Sequence, residues 1–145
     1  MEVTVTTWIV AGGGLALMGL LMALQTIAVM RPRAQWTVDN VYGGDPAATD
    51  PKAYFAFNGG YAWADTFFWG PLQIAASVGT LAGQQWGFLL GLVASVPYVY
   101  SAVSIYIWDR DMGFRGESWT YWVTWGMFPA FGVLQGIYCF ARLLA

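Results

Sequence analysis

Long apolar runs separated by short polar ones dominate this chain, and the runs are too long to be strands. Four stand out, at roughly 7–30, 61–81, 86–108 and 119–143. About 20 residues suffice to cross a hydrocarbon core as a helix, and none of the runs alternates with the period of two that marks a half-buried strand. The pattern predicts an all-α fold: an integral membrane four-helix bundle forming a single domain over residues 1–145. The 82–85 connection is short enough to force spans two and three into an antiparallel pair. Residues 31–60 are rich in Gly, Pro, Asn and Asp, which predicts mostly turns. Their interleaved Trp36, Tyr42, Tyr54, Phe55 and Phe57 need cover, so this loop is expected to be ordered and to cap one face of the bundle.

Small residues are spaced within the runs at helical intervals. Gly12, Ala16, Gly19 and Ala23 form a seam in the first span, and Gly87 and Gly91 continue the theme in the third. Membrane helices gain most of their association energy from close van der Waals contact, which small residues permit. The first seam is expected to pack on a neighbour within the bundle, with self-association as the alternative. Gly132 and Gly136 make a G-x-x-x-G pair in the fourth span. Pro71, Pro97 and Pro129 each fall about ten residues into their span, where each removes an i to i−4 hydrogen bond and predicts a kinked helix. Trp8, Trp63, Trp86, Trp108 and Trp119 mark span ends, where amphipathic rings favour the headgroup region. Trp69, Gln73, Trp122 and Trp125 lie deeper and are the candidates for lining a pocket.

Composition agrees with a membrane location. Apolar residues make up 58% of the chain and charged ones 10%, against about 25% charged in a typical soluble domain. The first span lacks a basic leader and exceeds an ordinary signal-peptide core, so it is expected to remain as a transmembrane helix. With a net charge of −2 and no basic run, a nucleic-acid partner is not expected. Membrane lipids, other membrane chains or a second copy are the expected partners. No cofactor is expected either. The chain has no histidine to ligate haem, and Cys139, its single cysteine, cannot form a redox pair alone. Its one lysine, Lys52, lies in the loop, outside the spans where a retinal Schiff base would form.

Charge is distributed unevenly. Threading the chain through a membrane four times puts twelve of its fourteen charged residues on or just inside one face and leaves Glu2 and Arg142 on the other. Five of the six basic residues lie in loops 31–60 and 109–118, so the positive-inside rule places these loops in the cytoplasm and both termini outside. Asp65 is the one ionisable residue well inside a span. A carboxylate there should face the bundle and have a partner. Arg31, Arg33, Arg110 and Arg115 are the candidates, and Asp109, Asp111 and Glu117 converge on the same mouth. The residues Asp65, Asp109, Arg110, Asp111, Arg115 and Glu117 therefore form the candidate ion-pair or ligand site. A structural clasp, supported by the dipole at a helix N-terminus, is expected ahead of a ligand or ion site, and both ahead of catalysis by Asp65. Asp109-x-Asp111 is not an EF-hand opening, because Phe114 and Thr120 occupy the positions that need Gly and Glu. No metal site is expected.

Trp63-Ala64-Asp65, Pro71-Leu72 and Trp86-Gly87 resemble, over about residues 60–108, a loose group of small, uncharacterised bacterial four-span proteins. The resemblance implies a four-span bundle in a bacterial cytoplasmic membrane and carries no activity. The chain departs from the group at Gln84-Gln85, where the group tends to have basic residues, which would favour the reverse orientation. In architecture alone the chain is also similar to the four-span sterol-isomerase-like fold, whose catalytic residues have no counterparts here. The function expected is non-catalytic, as an accessory or scaffolding subunit of a larger membrane complex. The alternatives are a binder or enzyme for a lipid or other apolar molecule at Asp65, and a small homo-oligomeric channel or transporter.

Overall fold

The computed structural model describes residues 1–43, 46–48, 50–111 and 126–145, and among these the chain is all-α. Helix α1 (Val5–Met30) starts on a reciprocal cap: the Thr4 hydroxyl accepts from the Thr7 amide (3.2 Å), and the Thr7 hydroxyl accepts from the Thr4 amide (2.9 Å). It ends before Pro32, with the Arg31 amide donating to the Ile27 carbonyl. A short α2 (Gln35–Thr37) runs directly into a π-turn, Val38–Tyr42, which Gly43 closes at φ 70°.

Helix α3 (Pro51–Ala64) begins ten residues before the predicted start of the second span. Asp50 caps it, its carboxylate accepting from the Lys52 amide (3.0 Å), and Pro51 takes the first position, where a missing N–H costs nothing. The second half of the predicted loop is therefore helix rather than turns. A π-turn, Asp65–Trp69, joins α3 to α4 (Gly70–Leu81), so one helical path leads from Pro51 to Leu81. Pro71 follows this wide turn directly, at the opening of α4. A tight turn containing Gly83 at φ 67° leads into α5 (Gln85–Asp111), which holds Pro97 in its interior. Helix α6 (Phe128–Leu144) completes the fold, with Pro129 in its first turn.

Consecutive helices pack side by side: α4 lies between α1 and α5, and α5 between α4 and α6. Near the α4–α5 turn the two backbones touch. A Cβ on Gly87 would collide with the main chain of Gly79 and Thr80, so only glycine fits there. Gly91 faces Cys139 and Gln135, while Gly132 and Gly136 face Ser95 and Tyr98. Among the described residues, nothing packs closely on the Gly12–Ala16–Gly19–Ala23 seam. Ala16, Gly19 and Ala23 are exposed, and a Cβ on Gly12 or Gly19 would meet nothing within 4 Å. Helix α1 buries a different stripe (Thr7, Ala11, Gly14, Met18 and Ala28), because Gly14 admits polar side chains from α4 and α6.

Where described, the 31–60 segment is ordered: its first part packs on α1 and α3, and its helical second part also reaches α5. Tyr54 is fully buried, meets Tyr42 and Phe55 edge to face (6.1 and 5.2 Å), and donates from its hydroxyl to the Gly43 carbonyl (2.7 Å). Phe57 stacks on Trp108 at 4.1 Å, tying α3 to the end of α5. At the opposite end, the Met1 nitrogen donates to the Gly83 carbonyl (2.6 Å), and Arg142 donates to the Glu2 carbonyl. Helices α1 and α5 are long and apolar enough to cross a membrane, yet only 22% and 39% of their most apolar windows are buried inside the protein.

Candidate functional site

Asp65 opens the π-turn between α3 and α4 and is 6% exposed. Because the helix begins at Pro51, the carboxylate sits about four turns inside it, too far from the N-terminus for the helix dipole to stabilise it. Among the described residues its partner is not an arginine: neither Arg31 nor Arg33 pairs with it. Gln25 of α1 donates from Nε2 to Asp65 Oδ2 at 3.0 Å. Arg33 lies 5.5 Å over the ring of Phe55 instead. The sequence placed no particular residue of α1 opposite Asp65, so Gln25 is a site residue that sequence reasoning missed. A glutamine in an otherwise apolar span was the available signal.

Around this pair the hydrogen bonding is incomplete. Gln25 Oε1 and the hydroxyl of the fully buried Tyr98 have no partner among the described residues, nor does Thr66 Oγ1, next in the chain to Asp65. Tyr98 lies within electrostatic reach of the Asp65 carboxylate. The site thus offers an acid, a carbonyl oxygen and a hydroxyl, a set suited to a small ligand group that donates hydrogen bonds. Among the described residues, no cluster of three or more Asp, Glu, Cys or His side chains gathers to hold a metal ion.

The four pocket-lining candidates have different fates. Trp69 is buried and donates from its indole to the Ala94 carbonyl (3.0 Å), with Tyr98 edge-on at 4.4 Å and Phe128 at 6.3 Å. Together with Met18 these rings form a packed layer beneath Asp65. Gln73 lies one helical turn further along and is also fully engaged. It exchanges two hydrogen bonds with Gln135 of α6 (3.0 and 2.9 Å) and donates to Ser77 (3.1 Å), while Gln135 also donates to the Gly91 carbonyl (2.8 Å). Gly14 presses on this pair from α1, so all four long helices meet there. Trp69 and Gln73 are therefore interior ties rather than pocket walls.

Trp122 and Trp125 lie outside the described residues, as do Arg115 and Glu117. Asp109, Arg110 and Asp111 form the last turn of α5, and the positions of their side chains lie outside the description. No protein-family model matches the chain, and no curated protein or solved structure matches it either.

Proposed function

We propose that the chain is a four-span integral membrane protein that works without turnover, as an accessory or scaffolding subunit packing another membrane chain against α1. The outward seam carries this reading. Gly12, Ala16, Gly19 and Ala23 recur at helical spacing on a face that the described residues leave open, so a second helix can approach the α1 backbone closely there. The membrane setting is supported by large apolar side chains exposed on every long helix, including Trp8, Ile9, Val78, Tyr100, Leu134 and Ile137. In water such a surface drives aggregation, whereas in lipid it is the ordinary exterior.

Ala16→Ile and Gly19→Ile test the reading. Both positions face outward, so each variant should keep its helicity and melting temperature. Each should also lose the larger complex seen by native electrophoresis after mild detergent extraction. A parent protein that extracts as a lone chain, or variants that assemble as it does, would refute the role.

A second reading is favoured by the open hydrogen bonding at Asp65. There the bundle binds the polar end of an apolar molecule, with Asp65, Gln25 and Tyr98 as its contacts. Asp65→Asn should then abolish capture of that molecule from a membrane lipid extract without lowering thermal stability. A variant that unfolds would make Asp65 structural.

A further inference from the structure

A groove of about 330 Å³, not lined by Asp65, lies between the end of α1, the π-turn after α2, and α3. Val29, Phe55, Gly59 and Trp63 give it apolar walls, and Arg33 and Tyr42 bring the polar groups. The Arg33 guanidinium rests over Phe55, an arrangement that holds the charge at the groove. Among the described residues the loop's acids are engaged elsewhere: Asp39 accepts from Gln35 (2.8 Å), and Asp50 caps α3. No ion pair to Arg33 is present among the described residues. The groove also has a way out along the helix. Trp63, 58% exposed, meets Phe67, 51% exposed, at 4.7 Å between ring centroids, so an aromatic track runs from the groove into the Asp65–Trp69 turn.

We propose that this groove binds an anionic phospholipid, with its phosphate on Arg33 and an acyl chain lying along Trp63 and Phe67. Charge complementarity selects the head, since a guanidinium pairs with phosphate oxygens through two parallel hydrogen bonds. The aromatic track selects the tail, which separates a lipid from free phosphate. Tyr42 adds a neutral hydroxyl at the groove, which donates to the Ala28 carbonyl (3.4 Å) and keeps an oxygen lone pair for a donor. The proposal rests on the membrane-spanning reading. It also agrees with the cytoplasmic placement of the first loop, since anionic lipids give the cytoplasmic leaflet its negative surface potential.

The test is native mass spectrometry of the full chain in detergent, titrated with phosphatidylglycerol or phosphatidylcholine. The parent should prefer phosphatidylglycerol, and excess inorganic phosphate should not displace it. Arg33→Ala should weaken phosphatidylglycerol binding roughly fivefold to tenfold and erase the preference. Arg33→Lys should fall between the two, keeping the charge but losing the two-point contact. Trp63→Ala should weaken both lipids alike. Lys52→Ala, at an exposed cation of the same loop, should change binding less than twofold. The proposal is overturned if Arg33→Ala keeps the preference, if Lys52→Ala loses as much, or if phosphate competes. Alkaline washing of membranes tests the underlying reading separately: release of the chain into the wash overturns both, whereas retention together with a silent Arg33→Ala overturns only the groove.

Discussion

Two buried polar clusters lie on one stripe of the α3–α4 path, eight residues apart at positions 65 and 73, and they are built on opposite terms. At Gln73 every amide group is used: two side chains exchange hydrogen bonds, a hydroxyl and a main-chain carbonyl take the remaining donors, and a glycine closes the space. At Asp65, among the described residues, one amide meets one carboxylate and nearby oxygens are left over. A closed network is what helix packing in lipid asks for, because a polar group there has no water to fall back on. An open one is costly to keep for stability alone. The contrast assigns the first cluster to holding the bundle together and makes the second the place to look for a ligand.

Breaking the closed cluster should have the largest effect. Gln135→Leu strips Gln73 of both its reciprocal bonds and should cost about 3 kcal/mol, read from reversible unfolding in mixed detergent micelles. Adding Gln73→Leu should recover most of that loss, because replacing both partners leaves neither stranded. A double variant as unstable as the single one would show that the amides are not acting as a pair.

Next in size is the contrast between the two faces of α1. Gly14→Ala pushes a methyl group against Gln73 and Ser77 and should cost about 2 kcal/mol. Gly19→Ala meets open space and should instead stabilise the helix by about 0.5–1 kcal/mol. Equal effects in thermal melts would mean that the two glycines do not face opposite ways.

These pairs also mark what could be read from the amino-acid sequence. The long apolar runs announce helices, and the 82–85 gap announces the α4–α5 turn. Which side of α1 turns inward was not legible, because it carries small residues on both faces and only the arrival of Gln73 and Gln135 decides between them. The start of α3 was legible in principle: Asp50-Pro51 is a helix cap followed by a favoured first residue. The surrounding glycines and asparagine obscured it. The partner of Asp65 was hidden for a different reason. Spacing reports which residues share a helix face but not which residue of another helix sits at the same depth, so Gln25 carried no mark beyond being polar in an apolar span.

Asp65→Asn would turn the open cluster toward the closed kind. The new amide supplies the donor that Gln25 Oε1 lacks and imitates the Gln73–Gln135 exchange, while removing a buried acidic group. It should stabilise the bundle by about 1 kcal/mol. Loss of stability on the same scale would mean that the carboxylate has a further partner besides Gln25.

Tyr98→Phe should produce the smallest change and gives the most direct reading of how open the site is. The Tyr98 ring is held by its neighbours, with Trp69 at 4.4 Å, Phe131 at 5.3 Å, Phe128 at 5.6 Å and Gly132 against its Cβ, and phenylalanine keeps all of these contacts. Only the hydroxyl is removed, and it has no partner among the described residues. Stability should therefore stay within about 0.5 kcal/mol of the parent, the range of a substitution that touches no packing or paired polar group. A loss of about 1–3 kcal/mol, the cost of breaking a satisfied buried hydrogen bond, would show that the hydroxyl is already bonded. The Asp65 level would then be as closed as the Gln73 level, and the case for a ligand there would fall with the contrast that raised it.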